Sequence, residues 1–149
     1  MPKIYRGIKE SNGMPAIGST GTSLGIRFPD PEHPEARFDI VPDSSGMVHP
    51  NSGGMSVSPS IASLPVHAIP RRLKSHYREA RGSDTIRIWR IGDGPFADGL
   101  VSERLTHRVD PDNAKHGFVE PAILMQAADF VAAIHATREM WTDAEDELS

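Results

Sequence analysis

The sequence contains no cysteine. A disulfide framework, a thiolate nucleophile and a zinc–sulfur cluster are therefore excluded. Long apolar runs are missing too. No segment approaches the ~18 consecutive apolar residues of a membrane-spanning helix, and the opening Met1–Glu10 lacks the apolar core of a secretory signal. The expectation is a cytoplasmic protein, or one that leaves its cell without a cleaved signal. Positive charge is not in excess, since 16 Lys and Arg face 20 Asp and Glu, a net charge of −4. Phosphate-backbone binding draws its affinity from Lys and Arg, so non-specific nucleic-acid binding is disfavoured. The basic cluster Arg71, Arg72, Lys74, Arg78 and Arg81 reads as a solvated helix face. His33, His49, His67, His76 and His135 show no HExxH-like spacing, and the acids Asp143–Glu147 lack calcium-loop spacing. No metal is expected. Gly18–Gly25 is a Gly/Ser loop without the Lys-Ser/Thr of a phosphate-binding P-loop.

What is present is one domain's worth of chain, 149 residues with 38% hydrophobic and 24% charged residues, read as a single domain over 1–149. Thirteen glycines and thirteen prolines imply long or numerous loops. Lys3–Ile8 reads as a strand with Ile4, Arg6 and Ile8 on one face and Tyr5 on the other. Arg37–Val41 is a candidate brief strand, Met55–Ser58 a short extended piece, and Ser60–Leu64 one helical turn. Asp84–Ile91, apolar on both faces, predicts a central strand. Leu100–Val109 places Val101, Leu105, His107 and Val109 on one face, with His107 a hydrogen-bonded core or cleft residue. Lys115–Glu120 is a further strand, stopped by Pro121. Ala127, Phe130, Val131, Ile134 and Trp141 form a helical stripe over about Met125–Trp141. The acidic tail 142–149 is expected to fray. Several short strands with one late helix make the fold class α+β.

Three constellations bear on chemistry. Arg6 lies between two isoleucines on an inward face, where a guanidinium needs an acceptor: a core carboxylate or a bound diphosphate. In Gly53-Gly54-Met55-Ser56-Val57-Ser58 the glycines allow close backbone approach, and the two serines point to one side. In His116-Gly117-Phe118-Val119-Glu120, period-two geometry puts His116, Phe118 and Glu120 together. A carboxylate there suits a site stabilising developing positive charge, and a surface strand gives the same pattern.

In this order, Tyr5-Arg6, then Ser56-Val57-Ser58, then Glu120 resemble the Arg, Ser-x-Ser and Glu motifs of mono-ADP-ribosyltransferase toxins. A closer resemblance is to small ADP-ribosyltransferase-like effector toxins of bacterial type VI secretion, through Tyr5-Arg6, Pro50 to Val57, and His116 to Pro121 ahead of a helix ending near Trp141. The resemblance touches both ends of the chain and is thin between about 60 and 110. It implies an ADP-ribosyltransferase-like fold of two packed small β-sheets with a C-terminal helix. It also implies NAD as substrate, no metal, cleavage of the nicotinamide–ribose bond, and transfer of ADP-ribose to a macromolecule or to water. Arg6 would hold a phosphate or ribose of NAD. Ser56 would brace the site and hydrogen-bond the catalytic carboxylate. Glu120 would bind the ribose 2′-hydroxyl and stabilise the oxocarbenium-like transition state, with His116 the alternative essential residue. Tyr5, Phe118 and Ser58 complete the cofactor-binding set. Arginine-modifying members carry Glu or Gln where Phe118 stands, so a different acceptor fits better. Partners implied are a cognate immunity protein and a target-cell macromolecule in the cytoplasm. The alternatives are a small ribonuclease toxin using His116 or His107 with Glu120, and a non-enzymatic adaptor or immunity module in which Arg6 is merely salt-bridged.

Overall fold

The computed structural model describes residues 1–148. Ten strands follow in chain order: β1 (Ile4–Ser11), β2 (Met14–Pro15), β3 (Met47–Val48), β4 (Met55–Val57), β5 (Ile86–Ile91), β6 (Gly99–Leu100), β7 (Leu105–Val109), β8 (Gly117–Pro121), β9 (Met125–Gln126) and β10 (Thr142–Asp143). One α-helix, α1 (Ala127–His135), follows β9 directly. The strands make two four-stranded antiparallel sheets, ordered β10-β5-β1-β2 and β4-β8-β7-β6, and a two-stranded pairing of β3 with β9. Antiparallel sheets with a single late helix bear out the α+β reading.

The strand β5 is central, between β10 and β1, as its two apolar faces predict. Trp89 and Ile91 join Ile4 and Ile8 of β1 in the larger core, while Ile88 on the opposite face joins Tyr5, Ile61, Leu64 and Ile69 in a smaller one. The first sheet is thus buried on both sides. The second sheet turns Met55, Val57, Leu105 and Val119 into the larger core, where α1 adds Phe130 and Ile134. Paired Tyr5–Ser58 backbone hydrogen bonds of 2.8 and 3.0 Å join β1 to the end of β4. Through that junction the Arg6 strand and the Ser56 strand share one wall.

Four expectations are corrected. The helix spans nine residues, because Met125 and Gln126 are drawn into pairing with Val48 and Met47. At the other end the Thr137 hydroxyl returns to the Ile134 carbonyl, and Arg138–Met140 tightens into a 3₁₀ turn before Trp141. Leu100–Val109 is a hairpin, with β6 folding back on β7 and the Val101 N–H donating to the Leu105 carbonyl. Pro121 does not stop β8 but ends it in register with Leu105. Arg37–Val41 forms no strand; only Ile40 is buried there, anchoring an otherwise exposed loop.

The acidic tail, where fraying is expected, is tied down through Leu148. Thr142–Asp143 pairs with Arg90 and Trp89, and Glu145 accepts from the Ile88 backbone N–H at 3.2 Å. Glu145 also pairs with Arg72, Asp143 with Arg87 at 2.6 Å, and Glu147 with the Tyr5 hydroxyl at 2.7 Å. Ser149, the last residue of that stretch, lies outside the described residues. Arg71–Leu73 is a 3₁₀ turn rather than a helix face, and its Arg72 belongs to the tail network. No helix among the described residues is long and apolar enough to cross a membrane.

Candidate functional site

The site begins with the alternation of β1. Because Ile4 and Ile8 face the larger core, Arg6 must enter between them, and it is 5% exposed. Its guanidinium is met by backbone carbonyls. Nε donates to Ser23 at 3.2 Å, Nη1 to Ser56 at 2.8 Å, and Nη2 to Gly21 and Ser23 at 3.2 and 3.0 Å. Among the described residues no carboxylate pairs with it. Carbonyls satisfy hydrogen bonds but leave the charge uncancelled. Burial accordingly lowers the Arg6 pKa to about 10, with the Asp39 charge pulling the other way and Arg27 adding to the drop. At ~1.4 kcal/mol per pKa unit, holding this cation costs about 3 kcal/mol. The charge is therefore a feature the fold carries at a cost, and it lies in a cavity wall.

That cavity has a volume of about 470 Å³. Arg6, Arg27, Arg37, Ser56, Ser58 and His116 give it its polar wall, and Leu64, Pro65 and Ala68 an apolar side. A Cβ on Gly7 would lie 2.3 Å from the Ala68 carbonyl oxygen, so the residue after Arg6 has to be glycine for the 65–68 segment to close that side. A second cavity of about 390 Å³ shares Arg27, Arg37 and Ser56 with the first and adds Phe38, Asp39, Gly54 and Phe118. Three arginines thus converge on one cleft. Their carboxylate neighbour is Asp39, which holds Arg27 through a 3.0 Å ion pair and a 2.6 Å hydrogen bond from the Arg27 backbone N–H. The balance in the cleft is positive although the chain is acidic overall.

The glycine pair explains how the second sheet reaches the cleft. Gly53 has φ +128°, and a Cβ on Gly54 would meet the Val119 carbonyl oxygen at 2.2 Å. This close approach lays the turn ahead of β4 across β8. Ser56 then stands opposite Phe118 in register, with Glu120 two residues further along the same face of β8.

The cleft does not gather all the residues singled out in the sequence. Arg6, Ser56, Ser58 and His116 line the first cavity, and Phe118 the second. Ser58 is 2% exposed, and its hydroxyl donates to the Ser63 carbonyl at 3.4 Å. Glu120 lines neither cavity. It is 2% exposed, and both carboxylate oxygens accept from Arg108 Nε at 3.1 Å. Burial pushes the Glu120 carboxyl above its ordinary pKa, opposed by the Arg108 hydrogen bonds and charge and by the Asn51 backbone N–H. The Arg108 guanidinium also stacks on Phe118, 4.9 Å from its centroid. Ser56 meets Arg6 through its carbonyl; no hydrogen bond links its hydroxyl to Glu120. Tyr5 lies apart, in the smaller core, its pKa raised to about 12 by burial and by Glu147. His107 is buried, with Nδ1 on the Ala97 carbonyl at 2.8 Å and its ring 4.7 Å from Phe96, a core histidine as expected.

Arg27, Arg37 and Asp110 are members of the site that the sequence pattern did not single out. Arg27 follows the Gly18–Gly25 loop whose carbonyls hold Arg6, and Arg37 sits in a loop read as a strand. Asp110 and His116 flank the turn-forming Pro111-Asp112-Asn113, a spacing that would have announced their contact. Among the described residues no three potential metal ligands come together. Neither the family models nor the curated protein sequences compared with this chain match it.

Proposed function

We propose that the chain is a toxin domain that binds NAD in the Arg6 cleft and breaks its nicotinamide–ribose bond, passing ADP-ribose to a macromolecule or to water. The observation that carries this reading is the buried, carboxylate-free Arg6 in a cavity wall beside Arg27 and Arg37. Such a cluster suits a diphosphate: Arg6, its N–H groups largely engaged by carbonyls, and Arg27, engaged by Asp39, offer positive charge, and Arg37 offers its guanidinium fork. A volume of about 470 Å³ falls in the range of small-molecule sites, and the adjoining cavity places Phe38 and Phe118 beside Arg27, Arg37 and Asp39, aromatic side chains against which a nicotinamide or adenine would lie. The ADP-ribosyltransferase-like form of the α+β fold belongs to the same proposal, supported by the shared wall of β1 and β4. Ser56 stands where both parts of the ligand would meet. Glu120 acts on the ribose only by leaving Arg108, so His116 is the ionisable residue already in place. A cognate immunity protein covering the cleft, and action in a target cell's cytoplasm, follow from the same reading.

The test is release of nicotinamide from NAD by the purified chain. Release that disappears in Arg6→Lys, which keeps a charge but loses the fork, supports the assignment; no release by the wild type overturns it. A second reading has one observation in its favour. Three arginines around a cleft with a histidine also suit a phosphodiester, which weakens the charge-based objection to a ribonuclease. Cleavage of RNA without any nicotinamide release would establish that alternative. In the adaptor reading Arg6 has a structural role, filled by the carbonyls of Gly21, Ser23 and Ser56 in place of a salt bridge; a folded wild type with neither activity would favour it.

A further inference from the structure

Three histidines are paired with aspartates: His33 with Asp30, His49 with Asp43, and His116 with Asp110. The first two pairs are half-exposed turn contacts away from the cavities. The third lies against the cleft, with side chains 26% and 18% exposed. Asp110 is fixed by its own turn. One oxygen accepts the Asp112 backbone N–H at 2.8 Å, the other faces His116 Nδ1 at 2.9 Å, and these contacts hold its carboxyl below the usual range. The Phe118 ring stands edge-on to the imidazole at 4.7 Å and 87°, setting its plane. A carboxylate accepts, so Nδ1 carries a proton, and in the neutral ring the lone pair falls on Nε2. The hydrogen bond of the ring is made through Nδ1, and His116 lines the cavity that holds Arg6. The other ionisable groups on that wall are Arg6, Arg27, Arg37 and His67, with Arg108 behind Phe118.

We propose that His116 is the general base for the acceptor, and that Asp110 is the residue that positions it. This assignment rests on the NAD reading of the same cleft. An acceptor hydroxyl, of water or of a macromolecule, gives its proton to His116 Nε2 as its oxygen bonds to the ribose C1′. The C1′–nitrogen bond breaks, its electron pair leaves with the ring, and the pyridinium departs as neutral nicotinamide. Charge and protons balance, since the positive charge of the pyridinium ends on the imidazolium and then in solvent. Asp110 keeps the tautomer and steadies that imidazolium, a role that His33 and His49 lack a cavity to use.

Nicotinamide release from NAD, followed across pH for the wild type, His116→Asn and Asp110→Asn, tests the assignment. His116→Asn is expected to lose about 100-fold in kcat with KM within about twofold, and to lose the acidic limb expected of the wild-type rate profile. Added azide, a nucleophile with no proton to remove, is expected to restore most of the His116→Asn rate. Asp110→Asn is expected to lose about tenfold in kcat and to move the acidic limb, a change that a merely structural contact would not produce. Circular dichroism checks folding. Should His116→Asn not fold, the Asp110→Asn profile decides alone. Unchanged kcat and pH profile in a folded variant, or no recovery with azide, overturns the base while leaving NAD cleavage standing. No release by the wild type overturns both.

Discussion

Two regions of the molecule, the acidic tail and the Arg6 cleft, meet arginines in opposite ways. Around the tail, Arg72, Arg87 and Arg90 are each answered by a carboxylate, Glu145, Asp143 or Glu147. On the Arg6 side, Arg6, Arg27 and Arg37 share the cleft with Asp39 alone. The difference is where the counter-charge comes from. The tail supplies it within the chain, and the cations there close the fold. In the cleft the chain withholds it, and Arg6 stays charged at a cost of about 3 kcal/mol. Carboxylates are abundant in this sequence, yet Arg6 is held by the carbonyls of Gly21, Ser23 and Ser56 alone, and the proposed anion site rests on that contrast.

Removing one member from each side should break the comparison most sharply. Arg6→Ala leaves the carbonyls of Gly21, Ser23 and Ser56 without their donor, while relieving the buried charge. The expected net effect is a loss of about 2–3 kcal/mol in urea unfolding together with complete loss of nicotinamide release. Glu145→Ala removes the partner of Arg72 and of the Ile88 N–H. It should lower stability by about 2 kcal/mol, since hydrogen bonds to charged groups carry roughly 1.5–3 kcal/mol, and leave kcat and KM unchanged. A stability loss of equal size with activity lost in both variants would erase the distinction between the two sides.

The sequence made one side of this contrast legible and not the other. Period-two alternation was enough to place Arg6 inward and β5 in the centre, because burial on both faces of a strand is a local pattern. The same logic grouped Ser56 with Ser58, and His116 with Phe118 and Glu120, but that Ser56 stands opposite Phe118 is decided by the β4–β8 pairing. What alternation cannot express is long-range pairing. The tail looked like a fraying acidic end because Arg72, Arg87 and Arg90 lie more than fifty residues away from their partners. Glu120 looked free for the same kind of reason, as Arg108 reaches it only across the β7–β8 pairing. Arg27 and Arg37 sit in irregular loops, where no period exists to read, so the cleft's charge was visible only once the chain had folded around it. The helix was overestimated because Met125 fits an apolar stripe and a strand equally well, and pairing with Val48 decided between them.

Anions should sharpen the contrast further. Pyrophosphate, at about ten times its dissociation constant, is expected to stabilise the protein by ~1.4 kcal/mol, a rise of about 3–5 °C in Tm. Arg27→Ala and Arg37→Ala should remove that rise in a thermal-shift titration, and Arg87→Ala should not. A rise that depends on Arg87 instead would put the anion at the tail and empty the cleft of its meaning. Ionic strength must be held constant, because exposed pairs such as Arg87–Asp143 weaken with added salt.

The smallest expected effect comes from acid, and it falls on the core rather than on either set of arginines. Burial lowers the pKa of His107 and of His135, and the Nε2 of each is buried without a partner among the described residues. Each is therefore held neutral in the fold, while in the unfolded chain it titrates near the ordinary value of about 6.5. The unfolded state binds the extra proton, so stability is complete above pH ~6.5 and falls as pH drops below it. Urea unfolding should show lower stability at pH 5.5 than at pH 7.5. Glu120 has the opposite sign: its raised pKa favours the protonated fold, so acid returns stability there, and Glu120→Gln serves as the reference that removes its contribution. Against that background His135→Gln should flatten the pH dependence more cleanly than a change at His107, whose ring packs on Phe96 and crowds Gly117. If acid destabilised the Glu120→Gln, His135→Gln double variant as much as Glu120→Gln alone, His135 would contribute nothing, and the sensitivity would have to be traced to His107 or to the carboxylates of the tail.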